Sequence, residues 1–355
     1  MNSRRAGRGV VAALAVVLLL GLLALAAPAS AKAPKRGLYW GAWIGNQLTG
    51  TQPPWDMGAV SSFESTMNKG LSTIQFGAPF ADCSAAPCSF YPFPTVEMAA
   101  VRHYGAIPFF SWSSQSTPSA TEEPGFQLRD VINGSFDSYI RGFADEAREW
   151  GHPFFLRFDW EPNGNWFPWN EGVNGNQPGE FVTAWHHVHD IFSSVGATNA
   201  TWVWCPYIDI HKFGVLASFY PGDEYVDWSC LDGYNWANAR GHPVPWKSFD
   251  QIFAGSYHQV VTRVAPKKPM LLGEIASSGG GRAKAEWIRG MFESLGTKFR
   301  RVRGLIWFDQ VQQGVSWPLE TSPLVTQAFA TGLKQSLFRA NNYSSLATTP
   351  IPPPR

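Results

Sequence analysis

The chain has 355 residues, of which 45% are hydrophobic, 15% aromatic and 15% charged, and 28 basic against 27 acidic side chains leave a formal net charge of +1. This apolar content excludes intrinsic disorder, and a low, balanced charge with no basic block excludes phosphate-tracking binding of nucleic acid. A neutral chain of this length with 17 Trp, 34 Gly and 27 Pro can bury a large core and suits an exported enzyme or binder of uncharged, flat-faced ligands.

The amino-terminal segment reads as a signal peptide. Arg4, Arg5 and Arg8 precede an apolar stretch from Val10 to Ala27, and Ala29-Ser30-Ala31 is a small-residue cleavage site. Cleavage after Ala31 starts the mature chain at Lys32. An uncleaved anchor helix is the alternative, since the apolar run is nearly long enough to span a bilayer. Export makes disulfides the expected state of the four cysteines. Pairing in chain order joins Cys83 to Cys88 across a short turn-prone loop and Cys205 to Cys230, each near the end of a strand-like run. Buried free thiols at Cys205 and Cys230 are the alternative.

Eight short apolar runs follow, beginning near Leu38, Thr73, Ala106, Pro153, Thr201, Val226, Pro269 and Gly304. Between them lie amphipathic segments such as Phe136 to Trp150, Pro178 to Val195 and Lys284 to Leu295, with apolar residues at helical spacing. Continuous apolar strands alternating with helices predict parallel strands buried on both faces. The expected fold is therefore α/β, a single-domain (β/α)₈ TIM barrel over residues 32–340. A doubly wound open sheet is the alternative, but no glycine-rich phosphate loop follows the first strand. Glu161, Asp209, Tyr234, Glu274 and Asp309 fall at or just beyond the carboxyl ends of predicted strands, the face where barrel enzymes place their chemistry. The Ser/Thr/Pro-rich tail, residues 341–355, reads as loosely attached.

Two segments carry most of the chemistry. Arg157 to Phe167 (RFDWEPNGNWF) delivers Glu161 from a strand into a loop crowded with aromatics, a setting that raises a carboxyl pKa and suits a general acid. Pro269 to Glu274 (PMLLGE) is a buried strand in which Gly273 leaves room for a ligand beside the Glu274 carboxylate. Glu161 ends the fourth strand and Glu274 the seventh, so both face the barrel mouth as the catalytic pair that glycoside hydrolysis needs. Arg157 can pair with a neighbouring carboxylate, and Asp159, two residues along the same face, is a candidate partner.

The run from Arg157 to Trp169 resembles the acid/base motif of glycoside hydrolase family 26. Leu271 to Glu274 (LLGE) is similar to the same family's nucleophile motif, and Leu231 to Trp236 (LDGYNW) to its strand-six segment. The resemblance implies a (β/α)₈ barrel and a retaining endo-β-glycosidase of plant polysaccharides, most often β-mannan. Glu161 would then be the acid/base, Glu274 the nucleophile and Tyr234 the hydroxyl that orients it. The family pattern has His before the acid/base Glu where this chain has Trp160, which bears on the mannan specificity and favours mixed-linkage glucan, xylan or β-1,3-glucan as alternatives.

Arg157, Trp160, Asn165, Trp166, Tyr234, Trp236 and Trp307 are the candidate substrate-binding residues, with Trp166, Trp236 and Trp307 as stacking faces for a pyranose. Trp43, Trp112, Trp169 and Trp204 divide between core and cleft. The cluster His186, His187 and His189 lacks metal-site spacing, so neither metal nor cofactor is expected. No G-x-S-x-G nucleophile elbow occurs. The expected protein is a secreted monomer whose partner is a polysaccharide, without nucleic acid or stable membrane association. A carbohydrate-binding barrel without catalysis is the reading from another class, and two intact carboxylates argue against it.

Overall fold

In the computed structural model the described residues are 36–209, 215–239, 244–312 and 314–355, so the expected signal peptide lies outside them. All eight expected strands form: β1 (Tyr39–Ile44), β2 (Thr73–Asp82), β3 (Ile107–Thr117), β4 (Phe154–Phe158), β5 (Ala200–Trp204), β6 (Trp228–Asn235), β7 (Met270–Ser277) and β8 (Val302–Asp309). Each pairs in parallel with the next, and β1 also pairs in parallel with β8, closing the sheet into the expected (β/α)₈ barrel.

Helices alternate with the strands: α1 (Met57–Met67), α2 (Thr95–Tyr104), α3 (Leu128–Ile132), α4 (Asp137–Trp150), α5 (Glu180–Val195), α6 (Phe249–Gln259), α7 (Gly281–Thr297) and α8 (Pro323–Leu333). Their ends follow local chemistry. Ser248 and Gln251 cap α6 reciprocally, each side chain bonding the other's backbone N–H. α4 stops at Gly151, whose φ of 72° closes the last turn at no steric cost. Between β5 and β6 the described residues hold only a 3₁₀ turn, Leu216–Phe219. Among the described residues no helix is long and apolar enough to cross a membrane.

Alternation along the strands splits the core in two. Tyr39, Ile107, Phe109, Phe155, Trp228 and Ile306 pack inside the barrel. Their neighbours Trp40, Phe110, Phe158 and Trp307 face outward onto Phe63, Phe143, Trp185 and Phe329 of the helices.

The tail corrects a sequence expectation. Residues 341–355 do not hang loose but return across the amino-terminal end of the strands, where Ile351 is 1% exposed and joins the interior cluster. Its N–H donates to Thr201 Oγ1 (3.0 Å), its carbonyl accepts from Trp228 Nε1 (2.8 Å), and Tyr39 Oη donates to the Pro352 carbonyl (2.8 Å). The large aromatics at the foot of the barrel need a cover, and tail composition alone says nothing of that partner.

Candidate active site

Along each strand the barrel interior changes from apolar to polar. Two residues beyond Phe155 stands Arg157, two beyond Phe109 stands Ser111, and two beyond Cys230 stands Asp232, followed on the same face by Tyr234. Arg157 is fully buried, and its guanidinium bridges two carboxylates: Nη1 donates to Glu274 Oε1 at 2.6 Å and Nη2 to Asp232 Oδ2. Tyr234 Oη donates to the other oxygen, Glu274 Oε2. With its amide oxygen turned toward the guanidinium, Gln75 accepts from Arg157 Nη1 at 2.7 Å and donates to the Gly273 carbonyl at 3.1 Å. A buried cation is tolerated only with such partners.

The pairing register explains how Glu274 reaches this interior. β7 runs with β6 as Leu231 opposite Leu272 and then Asp232 opposite Glu274, so Gly273 is an extra residue in the ladder. Such a bulge re-aims the following side chain, and it turns Glu274 into the barrel mouth. Gly273 does not make room for a ligand, as its place beside Glu274 suggested. A Cβ there would lie 2.4 Å from Cys230 Sγ and 2.7 Å from Cys205 Sγ. The glycine accommodates the Cys205–Cys230 disulfide, which is formed as expected, as is Cys83–Cys88. Cys205 Sγ lies 3.0 Å from Asp232 Oδ1, so the bridge forms the floor beneath the carboxylates.

Glu161 is delivered by a strained loop after β4. Asp159 and Glu161 take φ values of 39° and 53°, a left-handed conformation that costs non-glycine residues about 1–2 kcal/mol each. Backbone bonds hold it: Asp159 N–H donates to the Trp112 carbonyl (3.0 Å) and Glu161 N–H to the Cys205 carbonyl (2.7 Å). Asn170 Nδ2 donates to the Glu161 carbonyl at 2.8 Å, while its Oδ1 accepts from the N–H groups of Trp166 and Phe167. Because the backbone turns left-handed after Phe158, Asp159 is not the partner of Arg157. It accepts instead from Ser114 N–H (2.7 Å) and Ser114 Oγ (2.6 Å), and burial pushes its carboxyl up to about 7 against those two bonds.

One oxygen of each of Glu161, Asp232 and Glu274 lies within 4.8 Å of the others, and the neighbouring positive charge is Arg157. The two glutamates sit in different fields. Burial pushes Glu161 up to about 8 and the Glu274 charge adds to the rise, opposed by Arg157 and by the Trp166 indole, whose Nε1 donates to Glu161 Oε2 at 2.6 Å. Glu274 accepts from a guanidinium and a phenol. Burial and then the Glu274 charge push the Tyr234 hydroxyl above its ordinary range, which keeps it a donor. A carboxyl raised by burial beside an ion-paired one is the kind of arrangement in which two carboxyl groups can take different chemical roles.

Around the pair opens a cleft of about 1070 Å³. Trp160, Trp166, Tyr234 and Trp236 line it with both glutamates, and Arg157 lies beneath, its guanidinium carbon 4.9 Å from the Trp160 ring centroid. Two expected site residues are placed elsewhere. Trp307 is fully buried and points outward, its Nε1 donating to the Trp317 carbonyl at 3.2 Å, so it packs between barrel and helices. Asn165 is exposed at the loop tip and off the cleft wall; Asn163 is the buried one, exchanging hydrogen bonds with the backbone N–H and carbonyl of Tyr207. Trp43 lines the cleft, whereas Trp112, Trp169 and Trp204 are core.

Four residues join the site that the sequence reading did not assign. Asp232 had a signal, standing two residues before Tyr234 and so on its face, and Gln75 had one as a lone amide in an apolar strand. Tyr207 and Trp317 come from loops with no local pattern, and Trp317 packs 4.9 Å from Trp236 and 5.1 Å from Tyr234. The histidines of α5 take structural partners, His187 with Asp137 Oδ1 and His186 with the Pro221 carbonyl.

Residues 109–279 match the family model for glycosyl hydrolase family 26. Endoglucanase H of Acetivibrio thermocellus is 31% identical over 300 residues, covering 82% of this chain and 30% of that protein. Mannan endo-1,4-beta-mannosidase A and B of Caldalkalibacillus mannanilyticus is 32% identical over 156 residues, covering 42% of this chain and 26% of that protein. This chain thus spans less than a third of the length of these curated relatives. A solved mannanase of Bacillus subtilis superposes with a TM-score of 0.60 over 86% of this chain and 87% of that one, and at 17% identity the likeness speaks to the fold.

Proposed function

Because the chain belongs to glycosyl hydrolase family 26, we propose that it is a retaining endo-β-glycosidase acting on a β-linked polysaccharide. The observation that carries this reading is the pair Glu161 and Glu274, within 4.8 Å of one another in one cleft. That close approach of their oxygens is in keeping with the retaining arrangement, in which the carboxyl groups stand about 5–5.5 Å apart.

In the first step Glu161 gives its proton to the departing glycosidic oxygen as a Glu274 oxygen attacks the anomeric carbon. The C–O bond to the leaving sugar breaks, and an ester bond to Glu274 forms. In the second step Glu161, now ionised, takes a proton from water, which attacks the same carbon and expels Glu274. Tyr234 and Arg157 each hold one oxygen of Glu274 and orient it for attack, and Arg157 stabilises the carboxylate when it leaves.

For the sugar, a β-glucan main chain is the first reading. The relative named an endoglucanase matches over 82% of the chain, and Trp160 lines the cleft where the family pattern has His. An indole offers a donor and no acceptor, whereas imidazole offers either. β-Mannan is the second reading, favoured by the relative named a mannosidase. We also read the chain as exported, in keeping with its two disulfides.

The test uses purified protein, a polysaccharide panel and two variants. Glu274→Ala should abolish turnover on every substrate. Glu161→Ala should cripple polysaccharide cleavage, spare aryl glycosides whose leaving group departs unprotonated, and be rescued by azide with a β-configured product. Activity of both variants on polysaccharide, or initial wild-type product of inverted configuration, would remove the proposal.

A further inference from the structure

The buried stripe of α7 runs through Trp287, Ile288, Met291 and Leu295, and it begins at Lys284, one turn before Ile288 and 1% exposed. An ammonium in such a stripe is costly unless it is partnered. Burial pushes it down to about 8, against the pull of Asp309 and Glu320. Its partners lie on one short stretch of chain: Nζ donates to the carbonyl of Trp317 at 2.8 Å and to that of Pro318 at 2.7 Å. Trp307 Nε1 donates to the same Trp317 carbonyl (3.2 Å), Leu319 N–H donates to Asp309 Oδ1 (2.8 Å), and Thr326 Oγ1 donates to the Leu319 carbonyl (3.0 Å). Asp309 is itself held by Gln47, whose Nε2 donates to Oδ2 at 2.9 Å. Side chains of β8, α7 and α8 thus bind the backbone of residues 317–319, the service that a ladder performs in a strand.

We propose that Lys284 is a positioning residue for the reaction: from outside the cleft lining it fixes, together with Asp309, the backbone that carries the Trp317 ring. The inference rests on the glycosidase reading and deepens it. Trp317 lines the cleft, its ring centroid 5.1 Å from that of Tyr234 and 4.9 Å from that of Trp236. Tyr234 in turn is the donor to Glu274 Oε2. The route from Lys284 to the reacting groups is therefore the Trp317 ring, which both walls the cleft and seats the phenol that orients Glu274. Lysine suits this task because one nitrogen with three donors can serve two successive carbonyls while its stem packs along apolar neighbours. The ammonium also stands 5.7 Å from the Trp307 ring centroid, so the aromatic that shares the Trp317 carbonyl attracts it as well.

Lys284→Met keeps most of the stem and removes the donors. With activity compared below the thermal midpoint of every variant, its kcat/KM on the best polysaccharide substrate should fall about tenfold, the worth of a well-seated aromatic contact. In a Trp317→Ala background the same substitution should change kcat/KM by less than about twofold, because the ring it acts through is gone. A lysine that only stabilises the fold would lower the midpoint and leave kcat/KM alone, or would cost the same in both backgrounds; either result overturns the proposal. Should Lys284→Met fail to fold, Lys284→Gln, with a shorter reach and no charge, takes its place in the cycle under the same criteria. Should the wild type cut no β-glycan, the glycosidase reading falls by itself. The clamp is then judged by a crystal structure of the variant, where displacement of the Trp317 ring from Tyr234 and Trp236 supports it and an unmoved ring overturns it.

Discussion

The indole Nε1 of Trp166 donates to Oε2 of Glu161 at 2.6 Å, so the residue that walls the cleft also sets the field at that carboxyl. This bond favours the ionised carboxylate and opposes the burial that holds Glu161 near 8. Trp166→Phe keeps the ring and removes the donor. The Glu161 pKa should rise further, and the basic limb of the kcat/KM profile should move to higher pH by up to about one unit. A basic limb that stays in place would show that Glu161 is not the group titrating there.

Arg157 compensates Asp232 and Glu274 from a fully buried position beneath the cleft. Arg157→Met should cost about 3–5 kcal/mol in denaturant unfolding, the penalty of leaving buried charge unpaired. Adding Asp232→Asn should return part of that loss, because one stranded charge goes with it. Strict additivity of the two substitutions would mean that they do not share one network.

Gly273→Ala tests what the glycine is for. Its methyl would press on both sulfurs of the Cys205–Cys230 bridge, at a cost of about 1–3 kcal/mol of overpacking. The same change made together with Cys205→Ala and Cys230→Ala should cost less, since the sulfurs are gone. If it costs as much without them, the backbone and not the disulfide demands glycine.

Trp236 and Trp307 should separate cleanly. Trp307→Ala should lower stability by about 3–5 kcal/mol, as expected of a fully buried core aromatic. Trp236, half-buried on the cleft wall, should on truncation raise KM for polysaccharide with a much smaller loss of stability. A reversed order in thermal denaturation and steady-state kinetics would contradict the assignment.

At the other end of the barrel, Ile351→Ala should destabilise by about 2–5 kcal/mol, the range for truncating a buried aliphatic. Its kcat/KM should match the wild type at temperatures where both are folded, because the tail covers the amino-terminal ends of β5 and β6 and the cleft opens at the opposite ends. Loss of activity without loss of stability would assign the tail a role in the site.

The eight strands, the closed barrel, both cysteine pairs and the placing of Glu161, Tyr234 and Glu274 on one rim were legible in the chain itself. These follow from local patterns: apolar runs bounded by breakers, amphipathic helices between them, and the carboxyl ends of the strands as a common rim. The expectations that failed needed a neighbour or a backbone angle that no local pattern reports. Asp159 lost Arg157 because its left-handed backbone breaks the two-residue alternation, and the bulge at Gly273 was needed to bring Glu274 inward. Trp307 and Trp236 are both tryptophans near strand ends, yet Trp307 packs on Phe329 outside the barrel and Trp236 stands on the cleft wall. Their sides are decided by strand phase and by loops such as the one carrying Trp317. Periodicity within an element is a property of the chain alone, but what covers each face is a property of residues far along it. The tail over Tyr39 and Trp228 and the disulfide under Asp232 therefore exist only once the barrel has closed.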